Sequence, residues 1–266
     1  MEFWKMHGLK NDYIFVQTFT QAGPGDPAEA ARVLSAPHTG IGADGLILVE
    51  PDREADARMR IFNADGSEAQ ICGNGLRCAA RLLYDQGLVT RPEMTISTGS
   101  GLRPVWLHIE RGAVTSVTAD MGAPVIGEAV ELTGAGRTLR FVPVSMGNPH
   151  AVTFDEAARG DAFYRLGPAF ERHPAFPQRA NIEFAAVIGP EDIAVRVWER
   201  GSGETMACGS GACAVLAAAT SLGLTGPKAR VTLPGGALWL ERRDDGHILM
   251  TGPATYAFRG STDVPD

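Results

Sequence analysis

Two short segments carry residues able to do acid–base chemistry on carbon: Cys72-Gly73-Asn74-Gly75 and Cys208-Gly209-Ser210-Gly211. In each, a run of helix formers follows, Leu76 to Gln86 and Ala212 to Leu222. A thiol at a helix N-terminus meets backbone N–H groups and the positive end of the helix dipole. That placement predicts a lowered pKa for Cys72 and Cys208 and a better thiolate. The glycines let a ligand lie against bare backbone. A single Cys-Gly-x-Gly is more often a small core residue at a tight turn. Two copies at matching places suggest a pair working from opposite faces of one carbon. One thiolate would remove an α-proton, the other thiol would deliver one, and the helix N-termini would steady the enediolate between. Cys78 and Cys213 fall inside the helices and read as packing residues.

The pair belongs to a larger repeat. A shift of 136 residues lays Glu68–Gly75 on Glu204–Gly211, Arg60-Ile61-Phe62 on Arg196-Val197-Trp198, Gly87-Leu88 on Gly223-Leu224 and Gly99 on Gly235. A shift of 137 brings Met6–Asn11 close to Val144–Asn148, each ending in asparagine. Self-similarity of this length means two copies of one structural unit.

The elements that must position the cysteines read alike in both copies. Arg58–Phe62 and Ala194–Trp198 alternate as half-buried strands do, and Asn63–Gly66 and Glu199–Gly203 read as turns. Each helix should end at an αL glycine, Gly87 or Gly223. Further strands are expected at 13–19, 46–50, 94–98, 105–110, 114–121, 139–144, 229–233 and 237–242. An outlying helix should run from an Asp26 cap, with Pro27 first, to Ser35. Ala212–Ala219 is apolar all round, the mark of a fully buried helix. The expectation is a mixed α+β fold, internally duplicated, with two pseudo-symmetric halves each a curved sheet or barrel around a central helix. The halves are placed at 1–113, completed by 253–266, and at 114–252.

Composition narrows the partners. With 24 Lys+Arg against 31 Asp+Glu, the net charge of -7 disfavours a nucleic-acid or anionic-membrane surface. The start of the chain has no apolar signal region, and no apolar run approaches the ~20 residues that span a bilayer, so a cytoplasmic location is expected. The cysteine spacings are not those of zinc ribbons or redox motifs, so no metal is expected. Lys5, Lys10 and Lys228 are the three lysines, and none has a Schiff-base setting, which disfavours a pyridoxal-phosphate racemase.

Seven segments together resemble the diaminopimelate epimerase family: Met6–Asp12, Gly40–Gly45, Phe62–Glu68, Cys72–Gly75, Met146–His150, Glu199–Gly201 and Cys208–Gly211. They occur in the family's order from residue 6 to residue 211. The resemblance implies interconversion of LL- and meso-diaminopimelate without cofactor or metal, on the way to lysine and peptidoglycan. It also implies a barrel around a helix in each half, the active site between the halves, and a homodimer. It assigns the acid–base pair to Cys72 and Cys208, and substrate contacts to Asn11, Asn63, Asn148, Asn181 and Arg200. Glu199 matches the position near the distal amino group, and His150 with Glu199 would tune the thiols. Gly73, Asn74, Gly209 and Ser210 match backbone donors for the reacting carboxylate. Some members carry glutamine where Gly45 stands, so that side-chain contact is missing here; Asn181 holds the matching place in the second copy.

The residue types suit such a substrate independently. A diamino diacid has two zwitterionic ends, which Arg200 can grip through a carboxylate and Glu199 through an ammonium. The plainer alternatives are a solvated Glu199–Arg200 turn pair, turn chemistry for the asparagines, strongest at Asn63, and a packing role for His150. Another cofactor-independent racemase of the same fold, acting on proline or hydroxyproline, is the nearest rival, yet it leaves Arg200 and Asn181 without purpose. A thiol hydrolase or transferase leaves the second cysteine unexplained, and a non-enzymatic binder needs neither thiol.

Overall fold

A computed structural model describes residues 1–155 and 160–263. The chain forms two compact units, Met1–Asp120 with Thr251–Asp266, and Met121–Met250. Residues 156–159 of the expected second half and 264–266 of the expected C-terminal segment lie outside the described residues.

The first unit opens with β1 (Glu2–Gly8) and β2 (Asn11–Gln17), an antiparallel hairpin. Its two-residue turn, Leu9 and Lys10, has positive φ at both positions, as the twist of a tight hairpin requires. Helix α1 (Pro27–Ser35) is capped by the Asp26 side chain, which accepts from Ala28 and Glu29 N–H. Next come β3 (Gly45–Glu50), parallel to β2, and β4 (Ala57–Asn63), antiparallel to β3, then the short β5 (Glu68–Ala69). Helix α2 (Gly73–Asp85) leads to β6 (Glu93–Thr98), parallel to β4, and to a meander of β7 (Gly101–Glu110) and β8 (Ala113–Asp120). The returning segment Thr255–Ser261 pairs antiparallel with β1. Strand β3 is buried on both faces. Leu46 and Leu48 join Ile14, Val16 and Phe62 against Ala31 and Leu34 of α1, while Ile47 points at α2, against Gly75.

The second unit repeats that order. β9 (Val125–Ile126), β10 (Val130–Gly134) and β11 (Arg137–Ser145) precede β12 (Pro149–Thr153), which pairs antiparallel with β11. Helix α3 (Ala162–Glu171) takes the place of α1, and β13 (Asn181–Gly189) runs parallel to β12 as β3 does to β2. β14 (Asp192–Glu199), β15 (Gly203–Thr205), α4 (Gly209–Ser221) and β16 (Lys228–Leu233) follow, with β16 parallel to β14 as β6 is to β4. β17 (Gly236–Arg242) and β18 (Ile248–Gly252) come after, and the returning segment is β19. The register repeats too: Tyr13 pairs with Gly45, and His150 with Asn181. The expected duplication is therefore present in strand order, strand direction and register.

Both central helices are enclosed by their own strands. Ala212 through Ala219 are all fully buried, so the small side chains of α4 let β11–β14, β16 and β17 approach closely. A larger residue there would overpack, at about 1–3 kcal/mol. Helix α3 was not anticipated. Gly167 and Pro168 read as breakers, but Phe163, Leu166 and Phe170 carry it against Phe141, Ile182 and Phe184. Among the described residues no helix is long and apolar enough to cross a membrane.

Candidate active site

Cys72 is the N-cap of α2, extended at φ -139° and ψ 109°, and its sulfur accepts the Gly75 N–H at 3.3 Å. A sulfur in the capping role is why the helix starts at Gly73 rather than at the expected Leu76. The thiol donates to Asn11 Oδ1 at 3.5 Å, and the same oxygen takes the Asn74 amide at 3.2 Å. Asn11 in turn donates to Asp44 at 2.7 Å, and the Tyr13 hydroxyl hydrogen-bonds the thiol. Behind this layer lies Arg77, fully buried, donating to Asn74 Oδ1 at 2.7 Å, Gly73 O at 3.3 Å and Pro253 O at 3.2 Å. Arg81 donates to Ala254 O at 2.6 Å, so two arginines of α2 tie down the returning C-terminal segment.

Cys208 caps α4 in the same way, at φ -123° and ψ 107°, with the Gly211 N–H on its sulfur at 3.3 Å. Ser210 Oγ lies 3.6 Å from the sulfur. The neighbours differ in charge. Glu199 hydrogen-bonds the thiol and accepts from Thr205 Oγ1 at 2.5 Å. Glu183 reaches Gly211: a Cβ there would lie 2.8 Å from Glu183 Oε1 and 3.2 Å from the sulfur, so a side chain at that position would crowd both groups. His150 is buried, its Nδ1 on Glu183 Oε1 at 2.7 Å and its Nε2 on Asn148 Oδ1 at 3.0 Å.

The expected lowering of the thiol pKa is not what the structure produces. Burial pushes the Cys72 thiol up, and the Gly75 N–H, the Tyr13 hydroxyl and the Arg77 charge only partly oppose it. Cys208 is pushed up further, by burial and then by the charges of Glu199 and Glu183. Desolvation of a thiolate outweighs two or three amide dipoles. Burial also raises Glu199, and its hydrogen bonds with Thr205 and the Cys208 thiol partly oppose that rise.

The first unit thus brings Asn11, Gly73 and Asn74 around Cys72, and the second brings Glu199, Gly209 and Ser210 around Cys208. His150 and Asn148 stand further out: His150 bonds Glu183, whose charge acts on the Cys208 thiol, and Asn148 bonds His150. Asn181 holds the backbone: its Oδ1 accepts the Arg200 N–H at 2.8 Å and its amide donates to Pro149 O. Arg200 is exposed and donates to Gln178 O at 3.1 Å, while Glu199 faces inward, so the two are not a solvated ion pair. Asn63 occupies a turn, donating to Ser67 Oγ at 3.0 Å, and does not hydrogen-bond Cys72. At Gly45 a Cβ would fall 2.2 Å from Phe62 O, so β4 comes too close for any side chain there.

Four residues beside the thiols were missed: Tyr13, Asp44, Glu183 and Thr205. The repeat held a signal for two of them, since Tyr13 and His150 share one register position and Ile47 and Glu183 another. All four cysteines are free thiols, and no group of three or more metal-ligating side chains occurs among the described residues.

Comparison with known proteins bears on what this arrangement serves. Solved structures similar in fold include a PhzF-family phenazine biosynthesis protein of Bacillus anthracis, with TM-score 0.75 and 16% identity over 99% of both chains. A hydroxyproline epimerase of Agrobacterium vitis, solved with trans-4-hydroxy-L-proline, matches with TM-score 0.74 and 16% identity over 98% of this chain and 91% of that one. At such identities these likenesses show the fold alone. The sequence relatives are much nearer. The diaminopimelate epimerase of Bacteroides thetaiotaomicron is 49% identical over 98% of this chain and 97% of that protein. Those of Desulfitobacterium hafniense and Methanococcus maripaludis are 46% and 44% identical, again over nearly the full length of both chains. The family model for diaminopimelate epimerase matches residues 3–127 and 142–257. The chain belongs to the diaminopimelate epimerase family.

Proposed function

We propose that this protein interconverts LL- and meso-diaminopimelate, with Cys72 and Cys208 as the proton-transferring pair. The observation that carries the reading is the matched geometry of the two thiols. Each caps a central helix of one repeated unit, with the same glycine N–H on its sulfur, in a chain nearly half identical to named diaminopimelate epimerases.

The chemistry follows from the groups on hand. A thiolate takes the α-hydrogen as a proton: the C–H bond breaks, an S–H bond forms, and the electron pair moves into the adjacent carboxylate as an enediolate. The opposite thiol gives its proton to the other face, closing a C–H bond with inverted configuration. The cysteines end with exchanged protonation states, and neither a cofactor nor a metal is needed. Gly73, Asn74, Gly209 and Ser210, at the starts of α2 and α4, are assigned to the reacting carboxylate, where N–H dipoles oppose the growing negative charge. Asn11, Asn63, Asn148, Asn181, Glu199 and Arg200 are assigned to the substrate's remaining polar groups, with His150 and Glu199 also acting on the thiols. For Asn181 the assignment includes its backbone role, since it fixes the turn from which Arg200 projects.

The finer biological setting rests on family membership: a homodimer in the cytoplasm, supplying meso-diaminopimelate for lysine and peptidoglycan precursors. Incubation with LL-diaminopimelate, and separately with L-proline, tests the reading. Chromatographic appearance of the meso isomer with proline unchanged supports it; turnover of proline alone overturns it.

A further inference from the structure

We propose that Glu183 is a positioning residue for this reaction, holding His150 so that the amide NH2 of Asn148 is turned toward the substrate. Glu183 lies in the middle of β13 with its side chain wholly buried, and its Oε1 is 2.7 Å from His150 Nδ1. The other ring nitrogen meets Asn148 Oδ1 at 3.0 Å. An amide oxygen only accepts, so Nε2 must carry a hydrogen and donate it. With its oxygen engaged, Asn148 keeps its NH2 for another acceptor. Among the described residues no protein group takes that NH2, and Asn148 is only half buried.

The repeat shows that packing alone does not demand a carboxyl here. The matching residue of the first unit is Ile47, whose Cδ1 would lie 2.5 Å from a Cβ on Gly75, as Glu183 Oε1 would lie 2.8 Å from one on Gly211. An aliphatic side chain therefore fills the same niche beside Cys72. A buried carboxyl is costly unless paired, and among the described residues Glu183 Oε2 has no hydrogen-bond partner. What the carboxyl supplies and isoleucine cannot is the bond to His150 Nδ1. That bond fixes which way the imidazole faces, and a hydrogen-bonded second layer of this kind is what locks the tautomer of a functional histidine. The chain of contact runs Glu183, His150, Asn148, substrate.

The inference rests on the proposed activity, and its test is built to separate the two. Glu183→Leu removes the bond to Nδ1. Glu183→Gln keeps a group of the same shape whose NH2 can donate to Nδ1, so that Nε2 stays protonated. With LL-diaminopimelate, Glu183→Leu should raise KM about tenfold, the size of one lost hydrogen bond in a buried network, with a smaller change in kcat. Glu183→Gln should restore KM to within about threefold of the parent. Nitrogen-15 spectra of histidine-labelled protein, assigned with a His150 variant, give a readout independent of turnover. His150 should show a protonated Nε2 in the parent and in Glu183→Gln, and should lose that fixed state in Glu183→Leu. A folded Glu183→Leu with parental KM, or one in which kcat alone falls, overturns the proposal. So does a parent spectrum with a bare Nε2, which decides the matter even if the leucine variant fails to fold. A parent enzyme that leaves diaminopimelate unchanged would instead refute the activity, with the spectra still reporting on His150.

Discussion

Replacing Arg77 with methionine tests whether the buried cation of α2 holds the Cys72 site together. The guanidinium donates to Asn74 Oδ1, Gly73 O and Pro253 O, among its partners. Gly73 O also lies where the helix itself can satisfy it, four residues before Arg77, so the exposed losses are Asn74 Oδ1 and Pro253 O. A hydrogen bond from a charged donor contributes about 1.5–3 kcal/mol, which gives about 3–6 kcal/mol for two. Methionine fills much of the volume and removes the cost of burying a charge, which offsets part of that loss. The expected destabilisation is about 2–4 kcal/mol, a large share of the roughly 5–15 kcal/mol typical of a folded domain. It should appear as a lower urea midpoint with little change in slope. Under conditions where the variant is fully folded, Asn74 is no longer held and its bond to Asn11 loosens. We expect kcat/KM for diaminopimelate to fall about tenfold, the scale of one misplaced contact. Arg77→Lys keeps the charge but not the planar fork and should fall between. A methionine variant with a stability loss under about 0.5 kcal/mol and parental kcat/KM would show that Arg77 holds nothing.

Burial pushes the Cys78 thiol up to about 12 from an ordinary 9.0. The folded state therefore keeps a proton that the unfolded chain releases. The associated stability is present below about pH 9 and is lost as pH rises toward 12, by up to about 1.4 kcal/mol per pH unit. Cys78→Ala should flatten that alkaline decline in denaturation midpoints; an unchanged slope would contradict the buried-thiol account. Arg200→Lys should lower kcat/KM, because an ammonium cannot grip a carboxylate through two parallel bonds; parental kcat/KM would remove Arg200 from substrate binding. Cys72→Ser and Cys208→Ser should each lose most epimerase activity in both directions, since a serine hydroxyl is far less acidic than the thiol it replaces. Full activity in either one would end the two-thiol assignment.

What was legible in the sequence was what the chain declares locally or declares twice. Asp26 and Pro27 announce α1, and Gly87 and Gly223 end α2 and α4 with φ of 69° and 67°. The paired Cys-Gly-x-Gly segments exposed the duplication and put both cysteines at helix N-terminal ends. The helix starts were read three residues late, because two glycines look like loop until a sulfur is seen to cap them. Strand β1 was missed because Phe3, Trp4 and Met6 are buried on both faces and give no alternation. Its Lys5 is buried as well, in an ion pair with Asp12 at 2.5 Å. Strand β7 was read short because Pro104 sits within it, opposite Thr95. Glu183 had no local signal: a charge in an apolar strand is explained only by His150, 33 residues earlier in the chain. The thiol pKa was misjudged for a related reason. The helix terminus is visible in the sequence, whereas the depth at which it lies is a property of the packed unit.

The central claim is that two different thiols work on opposite faces of one carbon, and a single-turnover experiment in heavy water addresses it directly. Thiol protons exchange with solvent before each turnover, so the donating cysteine carries deuterium while the abstracting one receives protium from the substrate. The account predicts that first-turnover product carries deuterium at the inverted α-carbon, while unreacted substrate keeps its original hydrogen. Product that retains substantial protium at that carbon would mean one base returned the proton it took, and would contradict the account.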